Sequence, residues 1–291
     1  MTRRVARCLL LLAAVGGVTD SFSVSTCRRA EASSALRVAR TCVLLGDVPQ
    51  QAPVLADRLG LPLLDPCTVD LDVYTHALVL EPLAEDDYKL GLVALESPSK
   101  TGKPPKRIYR MNPLVVDWGS CQQRSGKDNL VATIPGNCAT AHDWTAGLGQ
   151  DAQVLARHVP SVTLFERNPI VAALLQDGLR RARVNVDLVV GDSQECDNRR
   201  PDLIYLDPMF PPRTKQASVK KNMQLLHALL DTQDSDEEAR YQQEARLLDS
   251  ALDHAIQRVV VKRPSHSEPL GGHTPSFVVK GAISRWDVYA L

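Results

Sequence analysis

Residues 139–166 read ATAHDWTAGLGQDAQVLARHVPSVTLFE. An apolar segment, 139–144, leads into a turn with two glycines, then into a segment of helical periodicity and a second apolar segment, 161–166. A strand, a glycine turn, a helix and a second strand in this order predict a βαβ unit. This unit favours an α/β fold built on a parallel sheet.

The same alternation continues to the end of the chain. The predicted elements are helices over Pro169–Ala182, Val219–Leu230 and Glu237–Ile256, and strands over Val184–Val190, Asp202–Asp207, Arg258–Lys262, Phe277–Lys280 and Arg285–Ala290. Strands alternating with helices predict a mostly parallel, Rossmann-like sheet with helices on both faces. The last two strands predict an antiparallel closing pair.

A smaller α/β region is predicted upstream, over residues 41–119. Its elements are a helix over Gln51–Leu59 and strands over Thr41–Leu45, Thr75–Leu80, Leu90–Leu95 and Leu114–Trp118. The second of these strands is predicted to end at Glu81-Pro82. Residues 120–137 are polar and predict a connector, so that the main domain covers residues 138–291.

The first 40 residues predict a leader and not part of the fold. An apolar run over 8–18 follows three arginines, and an Arg- and Ser-rich, acid-poor segment follows the run. The run is too short to span a bilayer, and the pattern is typical of targeting segments. It predicts import into a plastid or mitochondrion and no membrane attachment once the leader is removed. The alternative is a cytoplasmic protein with a start codon assigned too far upstream.

Composition and motifs exclude several classes of site. The 34 basic and 34 acidic residues give a formal net charge of zero, so total charge gives no support to nucleic-acid binding. The seven cysteines form no C-x-x-C pair and are predicted to be reduced thiols. No H-x-x-H motif and no G-x-S-x-G motif occurs, and no metal site is predicted.

Four predicted strands end in acidic residues, which a parallel sheet gathers at one edge. Asp143 ends the first and precedes the glycine turn, where Gly147 and Gly149 let the backbone approach a ligand. Glu166 ends the second, about 20 residues on, where an acid accepts hydrogen bonds from ribose hydroxyls. Asp192 follows the third and is placed to accept from an adenine amino group, although a helix N-cap is the alternative.

The fourth strand runs into Asp207-Pro208-Met209-Phe210. An exocyclic amino group is a poor nucleophile, because its lone pair is delocalised into the ring. Asp207 and the Pro208 carbonyl are predicted to accept its two N–H groups, and Phe210 to stack on the base, so that the nitrogen is held in line with an electrophilic methyl. A proline-rich loop with a helix-capping aspartate is the alternative.

Together, the strand ends predict S-adenosylmethionine as the cofactor and not a dinucleotide. A local basic patch follows the fourth strand and is predicted to contact RNA phosphates. It consists of Arg213, Lys215, Lys220 and Lys221, extended by Lys262 and Arg263.

These motifs resemble the small-subunit ribosomal RNA methyltransferase J family. The resemblance is carried by residues 145–151 (TAGLGQD), 166–175 (ERNPIVAALL), 206–211 (LDPMFP) and 259–264 (VVVKRP). It implies a class I S-adenosylmethionine-dependent methyltransferase acting on N2 of a guanine in small-subunit ribosomal RNA. The cofactor contacts that it implies are Gln150, Asp151, Glu166, Arg167, Asp192, Ser193 and Asp207.

Two alternatives stay open beside this interpretation. The Asp-Pro-x-Phe loop also suits a methyltransferase acting on adenine in DNA or on a protein glutamine. The family usually has arginine at the position of Gln150 and a Gly/Arg-rich segment in place of residues 120–136. These departures leave open a non-catalytic, cofactor-binding ribosome-assembly factor.

Overall fold

The computed structural model describes residues 24–26, 41–44, 50–66, 69–84, 87–95, 112–118, 129–196, 199–208, 221–230 and 237–291. Two sheets are formed within them. The larger has eight strands, which are β1 (Val24–Thr26), β7 (Thr140–Asp143), β8 (Ser161–Glu166), β9 (Asp187–Val190), β10 (Leu203–Leu206), β11 (Arg258–Pro264), β12 (Phe277–Lys280) and β13 (Ser284–Ala290). They lie in the order β1-β9-β8-β7-β10-β11-β13-β12.

The first six strands in this order run parallel, and β13 is antiparallel to both of its neighbours. All four residues of β10 are buried, as expected for a strand covered on both faces. The α-helices in the described parts of the chain are α1 (Gln51–Leu59), α2 (Ala152–His158), α3 (Pro169–Ala182), α4 (Ser193–Cys196), α5 (Lys221–Leu230) and α6 (Glu237–His254). The predicted fold, a mostly parallel sheet closed by an antiparallel strand, is confirmed.

Helix α3 begins as its sequence predicts. Asn168 precedes it, and its Oδ1 accepts the N–H groups of Ile170 at 2.9 Å and Val171 at 3.2 Å. Pro169 occupies the first helical turn, where its missing N–H costs nothing. The strand end at Glu166 is thereby followed by a sharp, well-capped turn into the helix.

The smaller sheet has five strands, which are β2 (Thr41–Leu44), β3 (Leu63–Leu64), β4 (His76–Ala84), β5 (Asp87–Ala94) and β6 (Leu114–Val115). They lie in the order β3-β2-β4-β5-β6. The predicted end of β4 at Glu81-Pro82 is wrong, since the strand continues to Ala84. Within the described residues, β2 pairs with β4 only over His76–Leu78, so Pro82 lies where β4 pairs with β5 alone and needs no second ladder bond.

The two sheets are joined through helix α3. Oδ2 of Asp177 accepts the N–H of Leu90 on β5 at 2.9 Å and Nε of Arg181 at 2.8 Å, and Oδ1 accepts from Arg180 at 3.0 Å. Arg180 also pairs with Asp87 at 2.5 Å. One continuous apolar core contains side chains from both sheets. The small sheet is therefore packed onto the large one.

Strand β1 lies inside the segment predicted as a leader. Val24–Thr26 pair in parallel with β9 at the edge of the large sheet, which was not predicted. The remaining residues of 1–40 lie outside the described residues, as do 120–128 of the predicted connector. The leader and the domain boundaries stay predictions.

Candidate active site

Four neighbouring parallel strands end at the same edge of the large sheet. In the order β9-β8-β7-β10, the residues at or just after these ends are Asp192, Glu166, Asp143 and Asp207. The register places Asp143 opposite Tyr205 on one side and Leu164 on the other. The predicted acidic residues thus lie along one sheet edge, around the glycine turn that follows β7.

The glycine turn is fixed by backbone bonds to both neighbouring strands. The N–H of Trp144 donates to the Tyr205 carbonyl at 3.1 Å, and that of Ala146 donates to the Phe165 carbonyl at 3.0 Å. Gly147 (φ 53°) and Gly149 (φ 74°) have left-handed backbones that disfavour other residues. The turn is therefore held at the sheet edge, with glycine at the two positions whose backbone conformation would strain other residues.

The two glycines differ in what surrounds them. A Cβ at Gly149 would lie 2.5 Å from the Trp118 indole and 2.8 Å from Leu175, so this glycine is required by packing. A Cβ at Gly147 would meet nothing nearer than the Thr145 carbonyl at 3.8 Å. Gly147 therefore borders open space at the strand ends, where a ligand can approach the backbone.

The Glu166 carboxylate faces this turn. One oxygen accepts the N–H of Gly147 at 2.9 Å, and the other accepts the N–H of Asn168 at 2.7 Å. Burial raises the pKa of Glu166, and the two N–H donors partly oppose that rise. Each oxygen keeps a lone pair for a further donor, such as a hydroxyl. Arg167, the next residue, is exposed.

Asp143 is the most buried acid of the site. Its Oδ1 accepts the N–H of Thr145 at 3.0 Å, which is too little to offset its loss of hydration. Burial raises the pKa of Asp143 to about 8, and the negative charges of Asp151, Asp207 and Glu166 add to the rise. The strand ends therefore form a region of negative potential.

Asp151, Lys262, Asp207 and Tyr205 form a connected polar network. Nζ of Lys262 lies 2.5 Å from Oδ2 of Asp151 and 2.9 Å from Oδ2 of Asp207. The Tyr205 hydroxyl donates to the same Asp151 oxygen at 2.8 Å. The N–H of Asp207 donates to Oγ1 of Thr145 at 2.6 Å. The Asp207 residue is thus held through both its backbone and its side chain.

The other predicted cofactor contacts have different surroundings. Asp192 accepts the N–H of Gln194 at 3.0 Å through Oδ1, in the helix-capping manner considered as an alternative, and it is partly exposed. Ser193 is buried at the start of α4, and Gln150 is exposed before α2. Of this group, Asp192 and Ser193 lie at the end of β9 and Gln150 in the glycine turn.

The structure places two predicted RNA contacts away from the free surface. Lys262 is engaged by Asp151 and Asp207, and Arg263 is 8% exposed and donates to the Glu268 carbonyl and to Glu244. Neither arrangement supports a phosphate contact. The side chain of Lys221, at the start of α5, lies outside the described residues. Phe210, Arg213, Lys215 and Lys220 also lie outside them, while Pro208 is described and half-buried.

Sequence reasoning missed Thr145 and Tyr205 and assigned Lys262 to a different role. A signal for Lys262 was present, because parallel strands in register place residues side by side. With Leu206 opposite Val261, the next residues on β10 and β11 are Asp207 and Lys262. The sequence alone did not establish that register.

The donor set fits the predicted S-adenosylmethionine. Its sulfonium and ammonium are cationic, and a cation among Asp143, Asp151 and Asp207 offsets the repulsion that, after burial, adds to the rise in the pKa of Asp143. Because a Cβ at Gly147 would meet nothing nearer than 3.8 Å, a bound cofactor has room to approach the backbone there. Among the described residues, no group of three or more His, Cys, Asp or Glu is arranged to hold a metal ion. Within the same residues, no helix combines the length and apolar character needed to cross a membrane.

Comparison with known proteins gives consistent matches. Residues 120–291 match a family described as "Putative SAM-dependent methyltransferase". A Thioalkalivibrio sulfidiphilus protein named ribosomal RNA small subunit methyltransferase J is 45% identical over 265 residues, covering 84% of this chain and 94% of its own. A Coxiella burnetii protein of the same name is 36% identical over 261 residues, covering 83% and 92%. The crystal structure of a SAM-dependent methyltransferase from Neisseria gonorrhoeae has a TM-score of 0.59 at 27% identity, covering 86% and 95%.

These relatives correct the predicted location. They are bacterial proteins, from Thioalkalivibrio, Neisseria and Coxiella. The prediction of import into a plastid or mitochondrion is therefore wrong, and the relatives point to the cytoplasmic alternative in a bacterium. The organelle prediction rested on the composition of the first 40 residues alone, which does not identify the destination of a targeting segment.

Proposed function

The chain belongs to the ribosomal RNA small subunit methyltransferase J family, and we propose that it methylates N2 of a guanine in small-subunit ribosomal RNA. The membership confirms the resemblance drawn from the motifs. The chain is an S-adenosylmethionine-dependent methyltransferase. S-adenosylmethionine supplies an electrophilic methyl group on a sulfonium sulfur.

One observation carries the proposal: the acids at the ends of three parallel strands, Asp143, Glu166 and Asp192, share one sheet edge with Asp207-Pro208, which follow the fourth strand. The relevant separations are short, since Lys262 contacts both Asp151 and Asp207, and Glu166 contacts the backbone of Gly147. The residues assigned to the cofactor therefore lie next to the residue assigned to the target amine, Asp207. Methyl transfer requires that proximity, because the attacking nitrogen must lie in line with the methyl carbon.

The cofactor side is assigned to the glycine turn and the ends of β8 and β9. Glu166 is fixed by two N–H donors and keeps acceptor capacity for ribose hydroxyls. Asp192 and Ser193 are assigned to the adenine end. The negative charges of Asp151 and Glu166, which add to the rise in the pKa of Asp143, favour a cationic ligand over a neutral one.

The amine side is assigned to Asp207, Pro208 and Phe210. The Asp207 carboxylate and the Pro208 carbonyl accept the two N–H groups of the guanine amine, which turns its lone pair out of the ring plane. Phe210 stacks on the base. The family name supports ribosomal RNA as the substrate over DNA or protein, and the basic residues Arg213, Lys215, Lys220 and Lys221 are assigned to RNA phosphates.

Transfer of labelled methyl tests this function. The full chain is incubated with methyl-labelled S-adenosylmethionine and, in parallel, unmethylated small ribosomal subunits, naked small-subunit RNA, DNA and protein. Nucleosides and amino acids from each reaction are then separated and identified by mass. We expect label in N2-methylguanosine from the ribosomal RNA.

The other outcomes separate the alternatives. Label in adenine of DNA or in a protein glutamine would make the chain a methyltransferase of a different amine. Cofactor binding with no transfer to any of the four substrates would make it a non-catalytic assembly factor. Either result contradicts the proposed function.

A further inference from the structure

Lys262 lies between two acidic side chains of the candidate active site. Strands β10 and β11 are parallel with Leu206 opposite Val261, which brings Lys262 beside Asp207. Its Nζ is 2.9 Å from Oδ2 of Asp207 and 2.5 Å from Oδ2 of Asp151. The lysine therefore joins the residue assigned to the target amine to a residue assigned to the cofactor side.

The contacts around this lysine fix Asp207 at two points. Lys262 holds its carboxylate, and Oγ1 of Thr145 holds its N–H at 2.6 Å. Asp151 is held from two sides as well, by Lys262 and by the Tyr205 hydroxyl at 2.8 Å. Removing Lys262 leaves both backbones in place but frees the Asp207 carboxylate to rotate.

The pKa of Asp207 is raised on balance, by burial first, and Lys262 is the group that opposes the rise. Burial raises the pKa of Asp207, Lys262 lowers it, and Asp151 raises it. Of the groups described around it, Asp143 and Asp151 are acidic, Tyr205 is neutral, and Lys262 is the cation in contact with it. A carboxylate accepts hydrogen bonds through both oxygens, whereas a protonated acid loses part of that capacity.

We propose that Lys262 is a positioning residue for methyl transfer, which orients the Asp207 carboxylate to accept the target amine and ties it to Asp151. The inference rests on the proposed function, because it uses the role assigned there to Asp207. It replaces the predicted phosphate contact for this lysine. Two of the three ammonium donors are already engaged, and the side chain is only 23% exposed.

Lys262→Met tests the inference, since methionine keeps an unbranched side chain and removes the charge. Turnover is measured at saturating S-adenosylmethionine and ribosomal substrate from pH 5 to pH 9. We expect kcat to fall about 10²-fold, the loss typical of a displaced catalytic group. We also expect the acid limb of the pH profile to move to higher pH, because Asp207 then loses its cation.

Two further variants serve as controls. Lys262→Arg retains the charge and is expected to leave the acid limb at its wild-type position. Tyr205→Phe removes the other hydrogen bond to Asp151 but leaves the Lys262–Asp207 pair intact. It is expected to change the KM for S-adenosylmethionine without moving the acid limb. A purely structural role of the lysine would lower the amount of folded enzyme and move neither limb.

An acid limb unchanged in Lys262→Met would overturn the inference. The inference would also be overturned if Lys262→Met had a normal kcat but bound RNA less tightly. The dependence of its RNA affinity on salt would then be shallower by about one phosphate contact. If Lys262→Met does not fold, Lys262→Gln is measured by the same criteria. Failure of the proposed function is visible separately, because the wild-type enzyme would then place the label in a product other than N2-methylguanosine. The lysine variants are in that case compared on the substrate that carries the label.

Discussion

The two sheets of this chain use their charged residues in different ways. In the large sheet, four parallel strands end together, and Asp143, Glu166 and Asp207 lie near one another. In the small sheet the longest pair, β4 and β5, is antiparallel, and Glu81 lies opposite Lys89 with 2.8 Å between the charged atoms. The parallel strands bring the acids that follow them to one edge, whereas the antiparallel pair places Glu81 and Lys89 opposite each other across the ladder. Strand direction therefore decides where a site forms.

Asp207→Ala is the change that tests this difference most strongly. Loss of a group placed at the reacting centre is expected to lower kcat about 10²–10³-fold. Glu81→Gln, which removes an acid from the small sheet, is expected to leave kcat within about twofold, because exposed ion pairs contribute little. Both variants are assayed by methyl transfer at saturating S-adenosylmethionine. A wild-type rate from Asp207→Ala would show that the strand-end acid is not used.

Asp177→Ala tests the joint between the sheets. It leaves the N–H of Leu90 without its partner, and an unsatisfied buried donor costs about 1–3 kcal/mol. We expect the free energy of unfolding, measured in urea, to fall by that amount. Glu81→Gln again serves as the control and is expected to change stability by less than about 1 kcal/mol. Equal stability of the two variants would mean that the joint contributes nothing.

Gly147→Ala and Gly60→Ala form a matched pair across the two sheets. Both glycines have a left-handed backbone, with φ of 53° and 64°, and a Cβ added at either would meet no atom nearer than 3.8 Å. Each substitution is expected to cost about 1–2 kcal/mol of stability. Titration calorimetry with S-adenosylmethionine is expected to show at least about tenfold weaker binding for Gly147→Ala alone, the equivalent of about 1.4 kcal/mol. Equal affinities of the two variants for S-adenosylmethionine would contradict the assignment of the glycine turn to the cofactor.

The two sheets are also expected to differ in how their acids make stability depend on pH. Burial raises the pKa of Asp143 to about 8, so the folded state keeps a proton that the unfolded chain releases near pH 4. The contribution of Asp143 to stability is present at low pH and is lost as pH rises toward 8. We expect Asp143→Asn to lose less stability than wild type between pH 5 and pH 8 in urea unfolding. Identical pH dependences of the two proteins would contradict the raised pKa of Asp143.

Asp87 of the small sheet is expected to show the opposite sign. Its hydrogen bond to Arg180 lowers the pKa of Asp87, so its contribution is present above pH 4 and is lost on acidification. Asp87→Asn therefore provides the control for the same measurement.

The elements with local signals were predictable from the sequence. Strand β8 and helix α3 agree with their predictions to the residue, because Pro160 precedes an apolar run and Asn168-Pro169 caps the helix. Glu166 and Asp207 were predictable as strand ends for a similar reason, since each directly follows an apolar run. Their roles at the site stay predictions.

The features that depend on partners distant in sequence were not predictable. The network around Lys262 requires the β10–β11 register, and the continuation of β4 past Pro82 depends on where its neighbour β2 ends. Strand β1 owes its existence to β9, more than 160 positions along the chain. In each case the deciding contact is tertiary, and residue patterns within one segment carry no information about it.

The indole of Trp118 rests in the space that a side chain at position 149 would need. The conformation of the glycine turn and the packing of the upstream sheet against it consequently depend on each other. A chimera that exchanges either part for that of another enzyme has to carry the indole and the bare backbone together. Exchanging only one of them would leave either a cavity or a steric clash between residues 118 and 149.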